Sequence, residues 1–247
     1  MSSVALLVLA KNEEHNIVDC LESARGCDEL IVIDDNSTDR TVALAEAQGA
    51  RVVNHTLTGF ADQFNFARDQ AQSDWIFYLD ADERLSPGLV EDLRRHMAEY
   101  PNMVGTIKRR NFAFGARHRF GVLRPDRVPR LFPRQSINWQ GLVHPFPDFS
   151  LPTKPLRGHL IHFTYRDWHH YFNKYNQYTT LWAAEAYRRG KRTGQAEAWG
   201  RAAWSLFKML VINGGLLGGP LTWLLCFHHF GYTMTKYLKL IEIQERS

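Results

Sequence analysis

The chain has 247 residues, a formal net charge of +4 and three cysteines. That length buries a substantial core and fits one enzyme-sized domain with an appendage. A mean hydropathy of −0.35 excludes a polytopic membrane protein, and Cys20, Cys27 and Cys226 lack CxxC spacing, so free thiols in a reducing compartment are expected rather than a disulfide framework or a cysteine metal site. In chain order, Ser3–Ala10 is an apolar run that ends in Lys11-Asn12-Glu13-Glu14. It is short and has no basic flank, so no signal peptide is expected. A helical pattern follows through Ile17, Val18, Leu21 and Ala24. A second apolar run, Glu29–Ile33, ends in Asp34-Asp35-Asn36-Ser37-Thr38-Asp39. Thr38 or Asp39 is placed to cap a helix over Arg40–Gln48, which Gly49 stops. A short strand is expected over Arg51–Asn54 and a helix over Asp62–Ala71. Trp75–Leu79 then runs uncharged into Asp80-Ala81-Asp82-Glu83.

Alternation of strand and helix predicts a parallel sheet, whose buried strands are apolar on both faces. Ligands of open α/β sheets sit beyond the carboxyl ends of the strands. Three strand ends here carry polar or acidic clusters. Asp80 and Asp82, two residues apart, suit a hard divalent cation, because Mg²⁺ is held by one or two carboxylates plus substrate phosphates. Between Lys108 and Arg134 there are nine Lys or Arg against the single acid Asp126. An arginine-dominated cluster favours phosphate recognition, and no nucleic-acid reader motif accompanies it.

Lys11-Asn12-Glu13-Glu14, Ile33–Thr41, Phe66-Ala67-Arg68-Asp69 and Asp80-Ala81-Asp82-Glu83 together resemble family 2 glycosyltransferases of the GT-A fold, in order and spacing. Later pieces resemble the bacterial subgroup that includes lipopolysaccharide-core β-glucosyltransferases. These are Pro125-Asp126, Arg130–Arg134, Trp139–His144, His162–Asp167 and Lys236–Leu240. The resemblance implies an α/β fold of GT-A type, Rossmann-like, with a mostly parallel sheet and flanking helices. Residues 1–164 would form the catalytic domain: 1–100 the nucleotide-sugar half and 101–164 the acceptor half. It further implies an inverting hexosyltransferase that uses a UDP-sugar, with UDP-glucose as the expected donor, on a saccharide or anionic glycolipid acceptor. Transfer to a polyprenyl phosphate and a catalytically degenerate nucleotide-sugar-binding scaffold are the alternatives.

Under that resemblance Asn12 and Glu13 line the base pocket, and Asp34 or Asp35 accepts hydrogen bonds from uracil or ribose. Arg68 contacts phosphate, Asp80 faces the ribose or sugar, and Asp82 and His162 bind Mg²⁺ or Mn²⁺. Inversion needs a base opposite the leaving group. Related chains carry Glu directly after the Val-His pair, where this chain has Pro145. Asp126 and His144 are the candidates that remain foremost, with Asp148 beside them.

The C-terminal region, 165–247, is expected to be helical and membrane-associating. Asp167–Arg189 reads as a helix with an aromatic stripe from Trp168 to Trp182, stopped by Gly190. Met209–Thr235 carries no Asp, Glu, Lys or Arg. Its breaks at Asn213-Gly214-Gly215 and Gly218-Gly219-Pro220 favour two short helices in an interfacial or re-entrant hairpin, flanked by Lys208 and Lys236. The expected location is the cytoplasmic face of the inner membrane, peripheral or monotopic.

Overall fold

The structure is a computed structural model that describes residues 2–141 and 146–246. Its chain order is β1 (Val4–Ala10), α1 (Ile17–Ser23), β2 (Glu29–Asp34), α2 (Thr41–Ala47), β3 (Arg51–Asn54), α3 (Phe60–Gln70), β4 (Trp75–Asp80), β5 (Glu83–Leu85) and α4 (Leu89–Glu99). Then come β6 (Val104–Ala113), β7 (Ala116–Arg117), β8 (Asp126–Pro133), β9 (Asn138–Gln140), β10 (Phe146–Asp148) and β11 (Thr153–Tyr165). Three helices follow: α5 (Trp168–Arg188), α6 (Gln195–Phe207) and α7 (Gly219–Glu245).

Two compact units are present. The first comprises Met1–Arg109 and Asp126–His162, the second Arg110–Pro125 and Phe163–Ser247. The helical unit therefore takes in Arg110–Pro125, a segment the sequence places with the catalytic domain. The reason lies in packing: Gly121 donates its N–H to the Asn213 carbonyl at 3.0 Å, and Leu123 shares an apolar cluster with Tyr171 and Leu225.

In the first unit the sheet order is β3-β2-β1-β4-β8-β6-β11-β5. The β3-β2-β1-β4 half is parallel, and β8 pairs antiparallel with both β4 and β6. The parallel strands are the apolar runs of the sequence, and their alternate side chains feed two cores. Leu6, Val8, Phe77 and Leu79 enter one with α1 and α4; Ala5, Leu7, Ile76 and Tyr78 enter the other with α3 and Trp139. Burial on both faces explains why no alternation is visible in the sequence. The α2 N-terminus departs from expectation. Arg40 is the N-cap, and Asp39 instead accepts from the Thr41 N–H at 2.9 Å and the Glu14 N–H at 3.1 Å, tying two loops together.

In the second unit α7 packs along α5 and α6. The expected break between the hairpin arms is present: a π-helical turn over Lys208–Ile212 and a 3₁₀ turn over Gly215–Leu217 separate α6 from α7. The second arm is not short. It continues for 27 residues, because Pro220 lies in the first turn, where its missing N–H costs nothing, and no later proline interrupts it. Among the described residues no helix is long and apolar enough to cross a membrane. Within this unit a cavity of about 220 Å³ is lined by Tyr171, Tyr175, Tyr178, Lys174 and His229, among others. Burial, with the Lys236 and Lys208 charges adding to it, pushes the His229 imidazole down to about 4.

Candidate active site

Strand register puts the acidic ends together. Ala10 of β1 is opposite Asp34 of β2, and Leu9 is opposite Asp80 of β4. The polar ends of three neighbouring parallel strands thus share one edge of the sheet.

On the β1–β2 side, the two loops are laced by side chains. Asn12 holds a left-handed φ of 55°, its N–H donates to Ser37 Oγ at 2.9 Å, and its Oδ1 accepts from the Thr38 N–H at 2.8 Å. The Glu13 N–H donates to Thr41 Oγ1 at 2.7 Å, and Glu13 Oε2 accepts from Asn16 Nδ2 at 2.7 Å. Asp34 accepts from the Ser37 N–H at 2.9 Å and from the Ser37 hydroxyl. Asp35 accepts from Lys11 Nζ at 2.8 Å and from the Leu57 N–H at 2.9 Å. Burial alone would raise the Asp35 carboxyl, but Lys11 and the Leu57 N–H outweigh it and hold it below the ordinary value. Both aspartates are thus fixed and buried. Each carboxylate oxygen that makes one such bond keeps a lone pair for a further donor. Arg68, by contrast, is turned toward its own surroundings: Nη1 donates to the Ile137 carbonyl at 2.7 Å and Nε to Asp69 at 2.8 Å.

On the β4 side, Asp80 accepts from Arg130 Nη2 at 2.6 Å, and the same nitrogen lies 3.0 Å from both oxygens of Glu83. The Glu83 side chain is fully buried. Arg109 reaches Glu83 at 3.5 Å and holds Asp126 in a two-point fork at 3.0 and 2.7 Å. That fork follows from register, since Arg109 of β6 is directly opposite Asp126 of β8. Burial raises the Glu83 carboxyl above the usual range. Desolvation works the same way on Asp80, yet the Arg130 charge beside it prevails and holds it low. The turn that carries Asp82 is braced by Arg84, whose Nη1 donates to the Ala81 and Glu83 carbonyls at 2.8 and 2.9 Å. His162 of β11 is opposite Glu83, which brings its Nε2 to 3.5 Å from Asp82 Oδ1. Asp148 lies on β10 and accepts from Gln140 Nε2 at 2.7 Å. His144 and Pro145 lie outside the described residues.

Two features of this site are absent from the sequence reading. Glu83 and Arg130 form its buried ionic centre, and Lys11 pins Asp35. In the sequence Arg130 is one of nine cations in a basic stretch and opens the Arg130–Arg134 piece of the resemblance, with no role assigned to it. The structure instead takes Arg109 and Arg130 inside, and Arg134 donates to the Ser73 carbonyl at 3.0 Å. The exposed remainder of that stretch includes Lys108, Arg124 and Arg127.

The site can be tested for a divalent ion on its own geometry. Among the described residues no three His, Cys, Asp or Glu side chains form a ready metal cage. Asp82 and His162, 3.5 Å apart, match two adjacent ligands of an ion bound at about 2.0–2.1 Å. The surrounding charge agrees: the carboxyl groups of Asp80, Asp82, Glu83 and Asp126 gather around Arg109, Arg130 and His162, an acid-rich setting that suits a dication. The residues fit.

Residues 5–180 match the family model described as Glycosyl transferase family 2. This chain belongs to that family. The lipopolysaccharide core biosynthesis glycosyltransferase LpsC of Rhizobium meliloti is 30% identical over 203 residues, covering 76% of this chain and 73% of that protein. An uncharacterized glycosyltransferase of Rickettsia felis is 37% identical over 101 residues, which are 40% of this chain and 36% of that one. The chain thus spans about a third of that Rickettsia relative and about three quarters of LpsC. Among solved structures, glucosyl-3-phosphoglycerate synthase from Mycobacterium tuberculosis, in complex with Mn²⁺, UDP and phosphoglyceric acid, is similar over 47% of this chain and 44% of its own. The identity is 25% and the TM-score 0.37.

Proposed function

We propose that this family 2 protein is an inverting glycosyltransferase that moves a hexose, with glucose the expected sugar, from a UDP-sugar to a saccharide or lipid-linked acceptor of the lipopolysaccharide core. The observation that carries the reading is the common edge formed by Asn12, Asp34, Asp35, Asp80 and Asp82 at the carboxyl ends of β1, β2 and β4. The similarity to LpsC supports the acceptor class.

In this reading the Asn12–Glu13 and Asp34–Asp35 loops bind the nucleoside. Their carboxylates are already oriented by Ser37, Lys11 and the Leu57 N–H, so little order is lost when a ribose or uracil donor arrives. Asp80 is oriented by Arg130 toward the ribose or sugar. Asp82 and His162 would hold Mg²⁺ or Mn²⁺, which when bound neutralises charge on the leaving diphosphate. Asp126 or His144 takes the acceptor proton. The Arg109 fork fixes the Asp126 carboxylate and leaves each oxygen a lone pair for the acceptor hydroxyl.

Donor binding tests this directly. Thermal unfolding is followed with UDP-, GDP-, ADP- and dTDP-sugars, with and without Mn²⁺. At a ligand concentration of 100 times Kd, a UDP-sugar stabilises the folded state by about 2.7 kcal/mol, roughly 5–10 °C for a chain of this size. The shift requires Mn²⁺ and vanishes in Asp82→Ala. Unchanged UDP affinity of Asp82→Ala in Mn²⁺ would remove the donor site proposed here.

A further inference from the structure

The connection between α6 and α7 presents apolar side chains where a helix–helix turn is normally polar. Leu216 and Leu217, at its tip, are 58% and 75% exposed. Val211 and Ile212 in the preceding π turn are more than half exposed, as is Trp204 on the last turn of α6. Trp223, on the first turns of α7, is exposed too, and its indole N–H donates to the Leu216 carbonyl at 3.1 Å. That bond satisfies the ring's polar atom within the protein and leaves its apolar body outward. Contiguous exposed apolar surface of this kind marks an interaction site.

The charge pattern selects the occupant. From Ala198 to Ile241 there is no Asp or Glu, while Lys208 and Arg201, the latter ion-paired to Glu197 at 3.3 Å, are exposed beside the apolar tip. A second copy of the chain meeting this face about a two-fold axis would set the same cations against each other. An anionic lipid surface instead meets the cations with opposite charge and the leucines with acyl chain. Tryptophans are at home at that boundary. Since no described helix is long and apolar enough to cross a bilayer, the contact stops at the interface.

We propose that the turn from Lys208 to Leu217, with Trp204 and the start of α7, is a monotopic insertion surface that docks the protein on a bilayer leaflet rich in anionic phospholipid. It draws on the helical unit alone and does not depend on the donor chemistry proposed above, so the two readings fail separately.

The full chain is sedimented with vesicles of phosphatidylcholine alone or with roughly one-third phosphatidylglycerol, in the absence of nucleotide. Wild type partitions to the phosphatidylglycerol vesicles, salt weakens that binding, and brominated acyl chains quench its tryptophan fluorescence. Leu216→Ser/Leu217→Ser lowers partitioning by roughly a hundredfold, the loss of two buried leucine contacts. Arg201→Gln/Lys208→Gln lowers it by roughly thirtyfold. Wild type that stays in the supernatant with both vesicle types overturns the proposal, as does binding by both variants equal to that of wild type. A dimer in light scattering that the leucine variant dissociates, without vesicle binding by wild type, assigns the face to self-association instead. Should the leucine variant misfold by circular dichroism, the Arg201/Lys208 variant and the quenching decide.

Discussion

Arg130→Met removes a guanidinium that touches Asp80 at 2.6 Å and Glu83 at 3.0 Å. The two carboxylates respond differently. Asp80 has 38% of its side chain exposed and recovers water, whereas Glu83 is fully enclosed and keeps the Asp80 N–H at 3.1 Å and, as its nearest charge, Arg109 at 3.5 Å. Breaking a buried pair from one side costs about 3–5 kcal/mol, which lowers the melting temperature by roughly 6–20 °C for a chain of this length. Adding Glu83→Gln removes the stranded charge. The double variant is therefore expected within about 1–2 kcal/mol of wild type, because replacing both members of a buried ion pair is often neutral. pH gives an independent check. Burial raises the folded-state pKa of Glu83 above its unfolded value, and loss of Arg130 raises it further. A raised carboxylate contributes stability below its unfolded pKa, near 4.3, and loses it as pH climbs through the folded value. Arg130→Met should accordingly recover stability relative to wild type as pH falls toward that unfolded value. Urea unfolding of the four proteins of the cycle, followed by circular dichroism at several pH values, measures all of this. A single variant within about 1 kcal/mol of wild type, or a double variant no more stable than the single, would refute the reasoning.

His229 is half-buried, and desolvation with the nearby Lys236 and Lys208 charges holds its imidazole down to about 4, hence neutral. A depressed histidine contributes stability above its unfolded pKa near 6.5 and loses it as pH drops toward the folded value, so wild type should weaken over that window by at most about 1.4 kcal/mol per pH unit. His229→Gln should flatten that limb in thermal scans, and an unchanged slope would count against a neutral imidazole. Gly121 has a φ of 68°, and a Cβ there would lie 2.8 Å from Thr222 Cγ2 and 2.9 Å from Cys226 Sγ. Gly121→Ala should cost about 2–4 kcal/mol from left-handed strain and overpacking together, read by urea unfolding, with a loss under about 1 kcal/mol as the contrary result.

Much of the site was legible because it lies in contiguous stretches. Asn12–Glu13, Asp34–Asp35 and Asp80–Asp82 each end an apolar run, and a buried parallel strand must release its chain, and hence its polar residues, at the same edge as its neighbours. The break at Asn213–Gly218 was equally plain, since glycine and proline act on their own backbone. The length of α7 was not, because helix continuation there depends on packing against α5 and α6.

What the sequence by itself determined is the set of local states: which runs are strands, where they stop, and which acids stand at the stops. Only the tertiary structure decided which charges face each other. Arg130 and Arg109 read in the chain as members of a phosphate-binding cluster, and become the partners of Asp80, Glu83 and Asp126 because β8 inserts antiparallel between β4 and β6. His162 meets Asp82, 80 positions earlier in the chain, only because β11 returns beside β5. The physical reason is range. Backbone preference acts over a few residues, whereas charge pairing and burial are set by strand order and register, which a single linear pattern does not encode.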